Sequence, residues 1–170
     1  MSAMSSDIPM IDVSGLTSGG SDAIRPVVLE IGAACERHGF FYIRGHGLSG
    51  AFIESMFVES ARFFAQPLES KLKTRINRAN RGYVPPGTSA QKISSVDSPK
   101  RGNEYESLMI RDELKQGEPQ EMPGNPMHGP NQWPQNLPGF KEACLEYYDA
   151  LHGLARRFLP ALALALDLPP

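Results

Sequence analysis

The stretch CERHGFFYIRGHGL, residues 35–48, decides how this chain is read. Upstream of it Ile24, Val27, Val28, Ile31, Ala34 and Cys35 recur at helical spacing, which predicts an amphipathic helix with one apolar stripe. Gly39 falls where such a helix needs a residue that tolerates positive φ, so the helix is expected to stop there. The run Phe40 to Ile43 is short and aromatic and is closed by Gly45 and Gly47, which predicts a buried strand leaving through a Gly-His-Gly turn. These residues give a helix packed on a strand.

Working outward, a strand is expected over residues 8–12, IPMID, after a flexible segment at 1–7. A Ser/Gly linker over 14–21 leads to the first helix, with Ser21 or Asp22 as cap and Pro26 tolerated near the start. Ser49 caps a second helix, on which Phe52, Ile53, Met56, Phe57, Ser60, Phe63 and Phe64 share a face expected to be core. Pro67 ends it, and 68–77 is expected to hold a short third helix. Residues 81–138 are rich in proline and glycine and read as loop with one strand at 104–110, the flanking 117–133 being surface loop. The last helix starts near Pro138 with Phe140, Ala143, Cys144, Tyr147, Leu151, Leu154 and Phe158 at spacings of three and four. Pro160 is expected to end or kink it, and the apolar tail 159–168 to face the core.

Several of these elements, in order, resemble the non-haem iron(II), 2-oxoglutarate-dependent dioxygenases of the isopenicillin N synthase type, in their N-terminal portion. The helix ending in Cys-x-x-x-Gly-Phe-Phe before a His-Gly turn resembles that family's segment, as do IPMID at 8–12, ARFFAQP at 61–67 and Arg81-Gly-Tyr83. Tyr105-Glu-Ser107 is similar to a Lys-Glu-Ser element with Tyr in place of Lys, and Asn131-Gln-Trp-Pro134 with Leu137-Pro-Gly-Phe140 to an Asn-x-Trp-Pro...Leu-Pro-x-Phe run leading into a long helix. The resemblance implies an α+β fold: helices packed on a few strands, the N-terminal part of a double-stranded β-helix (jelly-roll) oxygenase. It implies residues 8–170 as the non-haem dioxygenase N-terminal domain, with the jelly-roll core largely missing. It also implies oxidoreductase activity on a small organic substrate, with iron(II) and 2-oxoglutarate as cofactors of the complete enzyme.

The family holds iron with His-x-Asp and a distant His. The four histidines here, His38, His46, His128 and His152, are each followed by Gly, and Phe40, Leu48, Pro130 and Leu154 stand where the carboxylate would be. No catalytic, metal or cofactor-binding residue is therefore expected in these 170 residues, and the chain alone is expected to be inactive. A second reading is a noncatalytic truncated product that binds partners or self-associates through exposed apolar helix faces.

By the same resemblance Arg81 and Tyr83 are the candidates for substrate contact, as a bidentate cation and a directed phenol donor. The alternative for both is a structural turn, with Gly82 supplying backbone freedom and Arg81 solvated. Glu106 is expected to pair with a basic side chain or loop amide, and His46 to bond backbone in its turn. Cys35 and Cys144 read as buried free thiols of a cytoplasmic protein. The 17 basic residues are matched by 19 acidic ones, and the basic run 71–81 lacks interleaved aromatics. That balance argues against nucleic acid, and the run reads as a solvated helix end and loop. The N-terminus carries no secretory pattern and the apolar tail is too short to span a bilayer.

Overall fold

The structure is a computed structural model that describes residues 8–17, 21–88, 104–114, 117–119, 122, 125 and 127–169. Residues 1–7, expected to be flexible, and positions 18–20 of the linker lie outside the described residues, as does the side chain of Ser21, for which a cap is expected. The element order is β1 (Met10–Asp12), a 3-10 turn (Ser14–Leu16), α1 (Ser21–Arg37), β2 (Tyr42–Arg44), α2 (Gly50–Phe64), α3 (Leu68–Leu72), β3 (Gly82–Val84), β4 (Ser107–Met109) and α4 (Phe140–Ala165). The chain is thus α+β with two small sheets, and it divides into two compact units: Met1–Ile53 with Asp149–Pro170, and Glu54–Tyr148.

In the first unit β1 and β2 pair in parallel, Ile11 opposite Ile43, with α1 as the crossover. The stripe read from the sequence is the core: Val27, Val28, Ile31 and Ala34 pack with Ile11, Val13 and Ala161, and Phe41, Ile43 and Phe158 close over them. Gly39 sits at φ +76° and its N–H donates back to Ala34 O, as the helix stop requires. Ser49 Oγ accepts from Phe52 N at 3.1 Å, the cap expected for α2.

Several expectations are corrected here. β2 begins two residues late and is not a buried strand. In a sheet packed on one face only alternate residues go inside, so Phe41 and Ile43 meet the core while Phe40 and Tyr42 are exposed. Asp22 lies within the first turn of α1 instead of capping it, whereas Pro26 is tolerated inside the helix as expected. Of the aromatic stripe on α2 only Phe63 is buried, and Phe57 is 67% exposed. Of the two outcomes expected of Pro160, ending or kinking α4, the first does not occur: the helix runs on to Ala165 because Ala161 and Ala165 are held against the core. The face of the tail that packs is the small one; Leu159, Leu162, Leu164, Leu166 and Leu168 point to solvent.

In the second unit Phe63, Tyr83, Phe140 and Cys144 form the core, with Phe63 stacked on Phe140 at 5.5 Å and edge-on to Tyr83 at 6.0 Å. The region expected to hold one strand holds two, β3 pairing antiparallel to a β4 shorter than the 104–110 expected, Tyr83 opposite Leu108. Three-residue strands are too short to show a period. Asn131 is buried rather than part of a surface loop. The third helix is only Leu68–Leu72, after which the chain turns so that Tyr83 N donates to Thr74 O at 2.7 Å and Ile76 N to Tyr83 O at 2.9 Å. Gly82 permits this: at φ +117°, a β-carbon there would lie 2.4 Å from Thr74 O.

Gly82→Ala is expected to destabilise the second unit by about 2–4 kcal/mol, since it adds both a backbone clash and a conformation closed to L side chains. Equilibrium urea unfolding measures it, and an unchanged midpoint would contradict the close approach.

Candidate functional site

The two residues singled out for substrate contact both lie on or beside β3, and both are built into the second unit. Tyr83 is fully buried, and its phenol donates to Glu106 Oε2 at 2.5 Å. The same oxygen accepts from Lys71 Nζ at 2.7 Å, and that ammonium also donates to Phe64 O at 3.0 Å and lies 5.5 Å from the Tyr83 ring centroid. Glu106 thus takes the structural role expected of it. Its partner Lys71 is 7% exposed, which corrects the solvated reading of the basic run; Lys73, Arg75 and Arg78 do face solvent.

Arg81 is 4% exposed, so the solvated alternative fails for it too. Its Nη1 donates to Asp112 O at 2.5 Å and to Asn131 Oδ1 at 3.3 Å, and its Nη2 to Met127 O at 3.3 Å. Nε is buried with no hydrogen-bond partner among the described residues. Asn131 is the pivot: its Oδ1 also accepts from Arg111 N, and its Nδ2 donates to Arg111 O at 2.8 Å and to Glu113 Oε2 at 2.7 Å. Glu113 in turn accepts from Trp133 Nε1 and, at 2.8 Å, from Lys141 Nζ. The Asn-Gln-Trp-Pro motif therefore ties the loop after β4 to the start of α4. Sequence reasoning missed Lys71, Asn131 and Glu113. The available signal was Glu106, whose expected basic partner had to come from the run at 71–81.

Charge follows these contacts. Lys71 and then Tyr83, bonding to its carboxylate, hold Glu106 below its ordinary 4.5 against the opposing effect of burial. Burial first, and Glu106 second, push Tyr83 up to about 12 from 10.0. Burial would raise Glu113, but the bonds from Lys141, Asn131 and Trp133 outweigh it and leave its pKa lowered.

Of the remaining expectations, His46 bonds its own turn, Nδ1 accepting from Leu48 N at 3.1 Å. His128 Nε2 lies 2.7 Å from Pro119 O. Cys144 is buried and its thiol is pushed up to about 12, chiefly by burial. Cys35 is exposed, a correction: it lies at the rim of the α1 stripe. Among the described residues no group of three or more His, Cys, Asp or Glu side chains could hold a metal ion, and no helix is long and apolar enough to cross a membrane.

This ordered set of elements is that of the N-terminal segment of a non-haem oxygenase. The family described as "non-haem dioxygenase in morphine synthesis N-terminal" matches residues 8–136, and the chain belongs to it. A 2-oxoglutarate-Fe(II) type oxidoreductase of Emericella nidulans is 33% identical over 164 residues, covering 94% of this chain and 46% of the relative. A homoarginine-6-hydroxylase of Arabidopsis thaliana is 34% identical, covering 94% and 48%. A full-length Neurospora crassa protein crystallised with alpha-KG superimposes with a TM-score of 0.74 at 27% identity, over 97% of this chain and 50% of that one. The chain spans about half the length of the relatives it matches, and corresponds to their N-terminal part.

Glu106→Gln is expected to lower stability at neutral pH by about 1–3 kcal/mol, because Lys71 stays buried without its counter-charge. In the parent chain Glu106 has a depressed folded pKa, so its contribution is present above pH 4.5 and is lost as pH falls through the folded value. Tyr83 has a raised one, so its contribution is complete below pH 10.0 and is lost as pH rises toward about 12. Urea unfolding across pH checks both limbs; Glu106→Gln should flatten the acid one.

Proposed function

We propose that this chain is the N-terminal domain, residues 8–170, of an iron(II) and 2-oxoglutarate-dependent oxygenase acting on a small organic substrate in the cytoplasm, the catalytic jelly-roll lying outside these residues. The observation that carries the reading is the ordered family match over residues 8–136 in a chain spanning half of its oxygenase relatives. A relative in the same fold has been crystallised with alpha-KG and thymine, which supports a small-molecule substrate.

The donor set present does not fit the metal. Each His is followed by Gly with no carboxylate two positions on, and no described cluster supplies three ligands. We therefore assign this chain no iron, no 2-oxoglutarate and no chemical step, and take it alone to be inactive. Its work is to present a stiff wall. Arg81 and Tyr83, the candidates for substrate contact, would act on a substrate from behind that wall, since both are buried and their bonds to Asp112, Met127, Asn131 and Glu106 fix β3 and β4 as its frame. The purified chain, given iron(II), 2-oxoglutarate and oxygen, is expected to release no succinate above a protein-free control. Succinate in proportion to protein would overturn this reading.

A second reading, a noncatalytic module that self-associates, is favoured by one observation. Leu159 and Leu162 at the end of α4 and Leu166 just past it are spaced by three and four and are all exposed, Leu166 at 70%. It predicts a molar mass by sedimentation equilibrium that rises with concentration and returns to 18.6 kDa in Leu159→Glu/Leu166→Glu. A monomer at all concentrations would exclude it.

A further inference from the structure

We propose that the cleft between the end of α3 and the turn at residues 133–136 binds a small aromatic carboxylate. The cavity measures about 430 Å³ and lies wholly within the second unit. That volume falls in the range of roughly 300–1,000 Å³ typical of small-molecule pockets. It rests on its own observations and stands whether or not the complete protein is an oxygenase.

The chemistry of the lining selects the ligand. Lys73 is the one charged residue on the wall, with no carboxylate beside it in the lining, and it makes no ion pair among the described residues. Gln135 adds a primary amide. Ser70 adds a hydroxyl, while Thr74 Oγ1 donates to Lys71 O at 2.9 Å and Asn136 Nδ2 to Gln66 Oε1 at 2.7 Å. A single cation with one amide and one hydroxyl suits a monoanion with two oxygens better than a phosphate dianion, whose second charge would go unmatched.

Trp133 supplies the second criterion. Its Nε1 is bound to Glu113, its ring meets Phe140 edge-on at 6.4 Å, and Lys141 Nζ lies 5.8 Å from its centroid. The indole is therefore held at the cavity wall before any ligand arrives, and a fixed flat surface favours a flat partner over a puckered one. Planarity and a single negative charge together describe an aryl carboxylate.

Trp133 is the only tryptophan, so its fluorescence reports on the cleft directly. Benzoate titrated into the full chain is expected to change that emission saturably and to shift the Gln135 side-chain amide resonance. Lys73→Ala should weaken benzoate about tenfold, as loss of one charge-assisted contact implies, while Lys73→Arg stays within about threefold. Cyclohexanecarboxylate should bind about tenfold more weakly than benzoate, since it keeps the charge and loses the plane. A non-saturating response, an unmoved Gln135 resonance, equal binding of cyclohexanecarboxylate or inorganic phosphate, or a Lys73→Ala variant that binds like the parent would each overturn the proposal. The ligand series on the parent chain decides it even if Lys73→Ala does not fold.

Discussion

One carboxylate oxygen organises the second unit. Glu106 Oε2 accepts from both Lys71 and Tyr83, and so joins α3, β3 and the strand approach to β4 at one atom. The buried ammonium cannot stay in the core without a counter-charge, and the buried phenol cannot stay without an acceptor. Once Tyr83 is pinned its ring meets Phe63, which stacks on Phe140 at the start of α4, and the aromatic core follows. A parallel network through Asn131 and Glu113 fastens the loop on the other side. The unit has few regular elements, so directed polar bonds give it the register that longer strands would give a larger sheet.

The frame of the first unit was legible in the sequence because its signals are periodic. Val27, Ile31 and Ala34 declare a helix face, Gly39 its end, and Ser49 the start of the next helix. The same reading failed where tertiary context outranks pattern. Phe57 looks like core by spacing yet faces solvent, and of the two outcomes open to Pro160, a stop or a kink, the stop does not occur. Lys71 sits in a run that composition assigns to water, and only the distant Glu106 reveals that it is buried. Of the site, the motif residues Arg81, Tyr83 and Glu106 were visible. Their partners were not, because Asp112 and Met127 act through backbone carbonyls that carry no side-chain signature.

A fold element can be shared across many oxygenases while the chemistry resides elsewhere in their length. Within the second unit the buried bonds give rigidity. Gly82 lets two backbones approach, and the Arg81 fork grips three oxygens spread along the one connection between β4 and α4, so a surface made largely of irregular chain is nevertheless held in one shape.

The two cysteines give the molecule an unplanned asymmetry. Cys35 is open to solvent on α1, while Cys144 is sealed in the aromatic core with its thiolate suppressed. An alkylating reagent therefore meets one thiol at once and the other only when the second unit opens. Modification at Cys35 normalises for reagent and time, and modification at Cys144 counts openings, so a single mass spectrum of the unaltered chain becomes a stopwatch for the breathing of its own core.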